Sequence, residues 1–129
     1  MGFGGGFTPT NRDVSVEFII DGGGSVITTG AKGPIFSPFS FTPTGWQIIG
    51  DQSGSIVVDV WSAAYPTIPS VANTIAGTEK PTLASAQINQ DLALTSWAGA
   101  IARGDPINFN VDSVTSIQRA TVHILGTLR

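Results

Sequence analysis

Few side chains in this sequence could do chemistry. His123 is the only histidine and there is no cysteine, so a thiolate site, a disulfide or a histidine-based zinc site would lack its ligands. A hydrolytic triad holds its histidine between a nucleophile and a carboxylate. His123 instead lies mid-strand beside Thr121 and Leu125, with no nucleophile motif nearby, and reads as a packed or rim-exposed strand residue. The run Gly22-Gly23-Gly24-Ser25 is glycine-rich, but no lysine follows at phosphate-loop spacing and no helix opens after it; it reads as a flexible turn. Asp21, Asp51, Asp59, Asp105 and Asp112 fall at strand ends or on outward faces of the expected strands. No single loop is dense enough in Asp and Asn to surround calcium with oxygens. No pair is marked out as the two carboxylates of a glycosidase. These acids read as turn residues that bond their own backbone. No catalytic residue, metal ligand or cofactor is assigned, and the chain is expected not to be an enzyme.

The aromatic residues are the better candidates for contact. Trp46, Trp61, Trp97 and Tyr65 could stack on sugar rings if exposed, or supply large buried area with a polar tip in a core or a subunit contact. By alternation Trp46 shares a face with Ile48, while Trp61 lies opposite Ile56, Val58 and Val60, which makes Trp61 the expected exposed or interface ring. Residues 1–13 read as a Gly/Phe-rich arm. Phe3 and Phe7 are its main packable groups, and they are expected to dock on the chain's own domain or on a neighbouring subunit.

These residues need a scaffold, and the scaffold implied is all-β. From Val14 the pattern has period two: Val14, Val16, Phe18 and Ile20 alternate with Ser15, Glu17 and Ile19. Val26 to Thr29 reads as a short second strand. Ile35 to Phe41 is strand-like, and its prolines make it an edge or bulged strand. Residues 45–51 and 55–61 flank Gln52-Ser53-Gly54 and predict a hairpin. Residues 62–82 read as a long connection, with one helical turn capped by Ser70. Asp91 to Leu94 reads as a short strand and Ser96 to Ile101 as a turn of helix. Ile107, Phe109 and Val111 mark a further strand, and residues 117–125 the last. About eight short strands, one long crossing and no sustained helical period predict an antiparallel, jelly-roll-like β-sandwich over residues 14–129.

Composition bounds the partners. The chain has 129 residues, 12% of them charged, with a net charge of −3. An average domain carries about 25% charged residues, and a free monomer is normally kept apart from its neighbours by interspersed charge. Low charge fits a surface covered by copies or partners, because interface cores are depleted of charged residues. The acidic balance argues against nucleic acid, no apolar run approaches the length of a spanning helix, and the start shows no secretory leader pattern.

Several stretches carry a resemblance: residues 18–33 (FIIDGGGSVITTGAKG), 51–61 (DQSGSIVVDVW), the Tyr65…Pro69…Val71 segment, 76–83 (AGTEKPTL) and 104–113 (GDPINFNVDS). Together they resemble a β-domain of tailed-bacteriophage virion proteins, found as a small free-standing protein and as the distal module of tail fibres. Pro34-Ile35-Phe36-Ser37-Pro38 departs from the smoother apolar strand of that pattern. The resemblance implies a virion structural protein. Combined with low charge, the arm and the absence of a shaft, it implies a capsid decoration or cement protein on the head surface, bound to the major capsid protein lattice and self-associating as a homotrimer. The competing expectation is a tail-fibre or receptor-binding module that contacts host glycan through its Trp and Tyr residues.

Overall fold

Alternating apolar residues build the inner faces of the longer core strands, and the computed structural model, which describes residues 12–129, contains six strands: β1 (Asp13–Asp21), β2 (Gly30–Phe36), β3 (Phe41–Ser62), β4 (Thr82–Asp91), β5 (Pro106–Thr115) and β6 (Arg119–Leu128). All pairings are antiparallel, in the order β1-β6-β3-β5-β2, with β4 also on β3. A single 3-10 turn, Val71–Asn73, interrupts the long connection; Ser70 caps it, and its side chain accepts from the Ala72 amide. The expected residues 1–13 arm, with Phe3 and Phe7, lies almost wholly outside the described residues.

β3 organises the sheet. Its first half pairs with β6 (Trp46 opposite Ile124) and its second half with β5 (Val60 opposite Phe109), so two halves of the sheet diverge from one 22-residue strand. The sheet curls until these halves face each other. Val16, Ile20, Ile48, Val122 and Ile124 of one half and Ile56, Val58, Val60, Phe109 and Val111 of the other form one buried cluster. The rings of Phe18 (β1) and Phe109 (β5) stack across the fold, centroids 4.5 Å apart and planes 2° from parallel.

The curl is made where the sequence predicts a hairpin. β3 does not reverse at Gln52-Ser53-Gly54; it bulges, and the register against β4 shifts between Ile49 and Gly54 and again before Ile56. A Cβ on Gly54 would stand 2.6 Å from the Thr115 carbonyl oxygen and 2.7 Å from Ile117. The glycine marks a close crossing of β3 beneath the β5–β6 turn, not a chain reversal. Hence six strands stand where about eight were expected. Val26–Thr29 is irregular, with the Ile27 amide bonded to the Ile117 carbonyl. The strand expected at 91–94 lies earlier, at Thr82–Asp91, and 96–101 forms no helical turn. Of the strand expected from Ile35 to Phe41 only Ile35 and Phe36 are strand, the end of β2, which lies at the edge of the sheet and breaks register between Lys32 and Ile35; residues 37–40, Pro38 among them, carry the chain into β3.

Candidate interaction surface

The tryptophans are committed to holding loops. Trp46 is buried and its indole Nε1 donates to the Glu79 carbonyl oxygen at 2.9 Å; Trp97, half-buried, donates to the same oxygen at 2.8 Å. The Glu79 carboxylate in turn accepts from the Thr95 amide (2.7 Å), the Ser96 amide (2.5 Å) and the Ser96 hydroxyl (2.7 Å). The Ser96 hydroxyl and these amides favour the charged form and hold the carboxyl well below its ordinary value, at about 2. One residue thus ties the loops around 79 and 95 to the sheet.

Trp61 is half-buried, and its Nε1 donates to Asp59 Oδ2 at 3.0 Å. Asp59 was expected on an outward face, and that expectation is corrected: the residue is 3% exposed. It points away from the core as alternation requires, but the 63–81 connection roofs that side of β3. Thr74 donates to Asp59 Oδ1 at 2.6 Å, the Val60 amide does so at 2.9 Å, and the Ile75 amide bonds the Val60 carbonyl. Lys80 Nζ lies 3.8 Å from Asp59 Oδ2 and 2.8 Å from Asp112 Oδ2. The Asp112 hydrogen bond raises the lysine above its ordinary pKa. A buried carboxylate without partners would cost several kcal/mol; the bonds from Thr74 and Ile75 and the ion pair with Lys80 fasten the connection to β3, while the Val60 amide and Trp61 satisfy the carboxylate from within the strand.

That fastening presents Tyr65. Of the four expected contact aromatics, only Tyr65 stands free of the fold, 69% exposed, and it is flanked by Phe36 and Ile68 at 66% and 67%. The Phe36 and Tyr65 ring centroids are 6.5 Å apart. With Pro34, Ile35, Pro66 and Pro106 they line a shallow cleft of about 100 Å³. Among the described residues no ionisable side chain lines it except the Tyr65 phenol. Large exposed apolar groups gathered in one place mark a contact site, where scattered ones need no explanation. The sequence separates Phe36 from Tyr65 by 29 positions of unrelated pattern, so their meeting was not readable from it; the Pro34 and Pro66 flanks were the available signal.

The remaining candidates are dispersed. The outer face of β1-β6-β3-β4 carries cross-strand rows: Ile19, Thr121, Ile49 and Ile88, then Glu17, His123, Gln47 and Gln90. In the second row His123 Nδ1 meets Glu17 Oε2 at 3.1 Å and Gln47 Nε2 donates to Gln90 Oε1 at 2.8 Å. His123 therefore serves the sheet surface and faces no nucleophile there. Asp21, Asp51 and Asp105 each accept a backbone amide. Among the described residues no three His, Cys, Asp or Glu side chains gather as a metal site would require. No protein-family model, curated protein or solved structure matches the chain.

Proposed function

We propose that this chain is a structural adhesion module, a bacteriophage capsid decoration protein that binds the head lattice and strengthens it, with the jelly-roll-like sandwich as its scaffold. The observation that supports this reading is the Phe36–Tyr65–Ile68 surface. It is rigidly backed, apolar and shallow, suited to burial against another protein and without the convergent ionisable groups that chemistry needs. A standard interface buries about 800 Å² per partner, and an apolar centre inside a polar rim is its usual anatomy. Binding that requires an intact lattice stabilises that lattice by mass action.

The tail-tip reading retains one supporting feature, the exposed Tyr65 and Phe36 rings, since aromatic faces stack on sugars. It loses the row of tryptophans, because Trp46, Trp61 and Trp97 are engaged with Glu79 and Asp59. Heads assembled without the chain, mixed with the purified protein and sedimented, test the proposal. The expected result is saturable binding that the double variant Phe36→Ser, Tyr65→Ser abolishes while keeping its circular dichroism spectrum. Failure of the wild-type chain to sediment with heads, or antibody labelling confined to the tail, overturns it.

A further inference from the structure

The curled sheet has three free edges among the described residues: β1 pairs only with β6, β2 only with β5, and β4 only with β3. A free edge invites another strand, and proteins blunt it with charge, proline or irregularity. β2 carries Lys32 and Pro34 and breaks register between Lys32 and Ile35; β4 breaks on either side of Ala86, next to Ser85 at φ 49°. β1 keeps its ladder, with Asp13 to Asp21 in unbroken register against β6, no proline and no positive φ. The register also fixes where its backbone points. The Leu128 amide bonds the Arg12 carbonyl and the Gly22 amide bonds the Gln118 carbonyl, so the even-numbered residues of β1 direct their hydrogen bonds to β6. Ser15, Glu17, Ile19 and Asp21 therefore turn their amides and carbonyls to the open side, and all four are exposed.

We infer that the β1 edge is a docking site for an extended cationic strand of a different protein, which adds to the sheet beside β1 with Lys or Arg opposite Glu17 and Asp21. In such strand addition the main chain supplies affinity and the alternate side chains supply choice of partner. Charge selects the occupant here. Glu17 and Asp21 stand four positions apart on the outer face, so a second β1 pairing there would set acid against acid. Each acid keeps an oxygen in reserve. Glu17 Oε2 lies 3.1 Å from His123 Nδ1 and Asp21 Oδ1 accepts from the Gly23 amide at 2.7 Å, which leaves Glu17 Oε1 and Asp21 Oδ2 without a partner among the described residues. The register sets His123 opposite Glu17 and Arg119 opposite Asp21 on β6. A cationic strand on the open side completes two rows in which each acid stands between two basic groups. Its intervening residues face inward beside half-buried Val14 and Phe18, so the strand is apolar on that side. The edge shares no residue with the Tyr65 cleft, and the inference does not depend on the virion reading.

The probe is a synthetic peptide, acetyl-Lys-Val-Thr-Val-Lys-Val-Thr-amide, whose lysines fall opposite Asp21 and Glu17 in antiparallel register. Titrated into the full chain at low salt and followed by amide NMR, it should shift the Ser15, Glu17 and Ile19 amides and slow their hydrogen exchange. The counterpart with Glu in place of both lysines should leave them unchanged. Glu17→Lys replaces an attraction by a repulsion at an exposed position and should weaken the cationic peptide about tenfold. Ile19→Pro removes an outward amide that bonds nothing within the chain, and should abolish binding while the circular dichroism spectrum is kept; should that variant unfold, Glu17→Lys decides. Unaltered Ser15, Glu17 and Ile19 amides, equal binding of the acidic peptide, binding undiminished by Glu17→Lys or by a folded Ile19→Pro, or protection that rises with protein concentration and no peptide (a second copy of the chain) each overturns the inference.

Discussion

Replacing Asp59 should loosen the connection that presents Tyr65 before it harms the sheet. Asp59→Ala removes the acceptor for Thr74 Oγ1, Trp61 Nε1 and the Val60 amide. Hydrogen bonds to a charged group contribute roughly 1.5–3 kcal/mol each. Trp61 is half-buried and rehydrates, and Lys80 keeps Asp112, so the net loss is about 2–4 kcal/mol rather than the sum of three full bonds. Asp59→Asn keeps Oδ1 for Thr74 and Val60 but turns a donor toward the Trp61 indole, and should cost less, about 1–2 kcal/mol. Measured against a total of roughly 5–15 kcal/mol, the alanine variant forfeits a large fraction. At roughly 3–5 °C per kcal/mol for a chain of this size, its melting temperature should fall by about 10 °C. Calorimetry reads the fall, and limited proteolysis should show new cleavage inside residues 63–81 ahead of global unfolding. An alanine variant within about 0.5 kcal/mol of wild type, the range of an ordinary surface change, or an asparagine variant worse than the alanine one, would refute the reasoning.

Glu79 should govern the acid limb of stability. Its carboxyl is held at about 2 in the folded chain against an ordinary 4.5, so its contribution is complete above the ordinary value and drains away as pH falls from 4.5 toward 2; Glu79→Gln should flatten urea midpoints measured across that window. A double-mutant cycle of Phe18→Leu and Phe109→Leu should return a coupling of about 0.5–1.5 kcal/mol for the stacked pair, and additive losses would mean the two halves of the sheet are not closed by this contact. Gly126→Ala should destabilise by about 1–3 kcal/mol, because its Cβ would meet the Thr42 carbonyl oxygen at 2.4 Å. Gly23→Ala, at φ +69° in open space, should cost only the left-handed backbone penalty of about 1–2 kcal/mol. A loss within about 0.5 kcal/mol of wild type for Gly126→Ala by urea titration, the range of an ordinary surface change, would contradict the close approach at Gly126.

Where apolar residues alternate with polar ones along a strand, the pattern was legible, even at β5, where the polar Asn108 is itself buried. Val14 to Ile20, Ile107 to Val111 and Ala120 to Ile124 read as strands and are strands. Ser70 as a cap and the proline-bearing β2 as an edge were legible for the same reason, since each rests on local stereochemistry. β3 was not, because glycine has two uses that look alike in a sequence: Gly54 lets another chain segment approach, where a turn glycine lets the chain reverse. β4 was displaced because residues 82–91, a rim strand with a mostly solvated surface, show no clear apolar period. Among the candidate contact residues, Trp46 could be placed on the Ile48 face, but the shared Glu79 carbonyl that binds it to Trp97 is a tertiary coincidence. Asp59 shows the limit most clearly: alternation gives its direction correctly and cannot foresee that a connection 15 residues further on covers it.

The 22-residue β3 strand also bears on how the molecule is acquired in time. β5 and β6 follow one another in the chain without pairing with each other, and both find their places only by returning to a strand more than 40 positions earlier, as Asp59 opposite Asn110 and Ile48 opposite Val122 require. Chains dominated by such distant pairings reach their native state in milliseconds to seconds, orders of magnitude behind helical bundles of equal size. Since both lobes draw on the same backbone, neither has a complete set of neighbours without the other, and acquisition should be a single concerted event. A permutant opened inside β3 should therefore forfeit the whole domain, whereas one opened in the 22–29 segment, ahead of β2, should still reach the native arrangement.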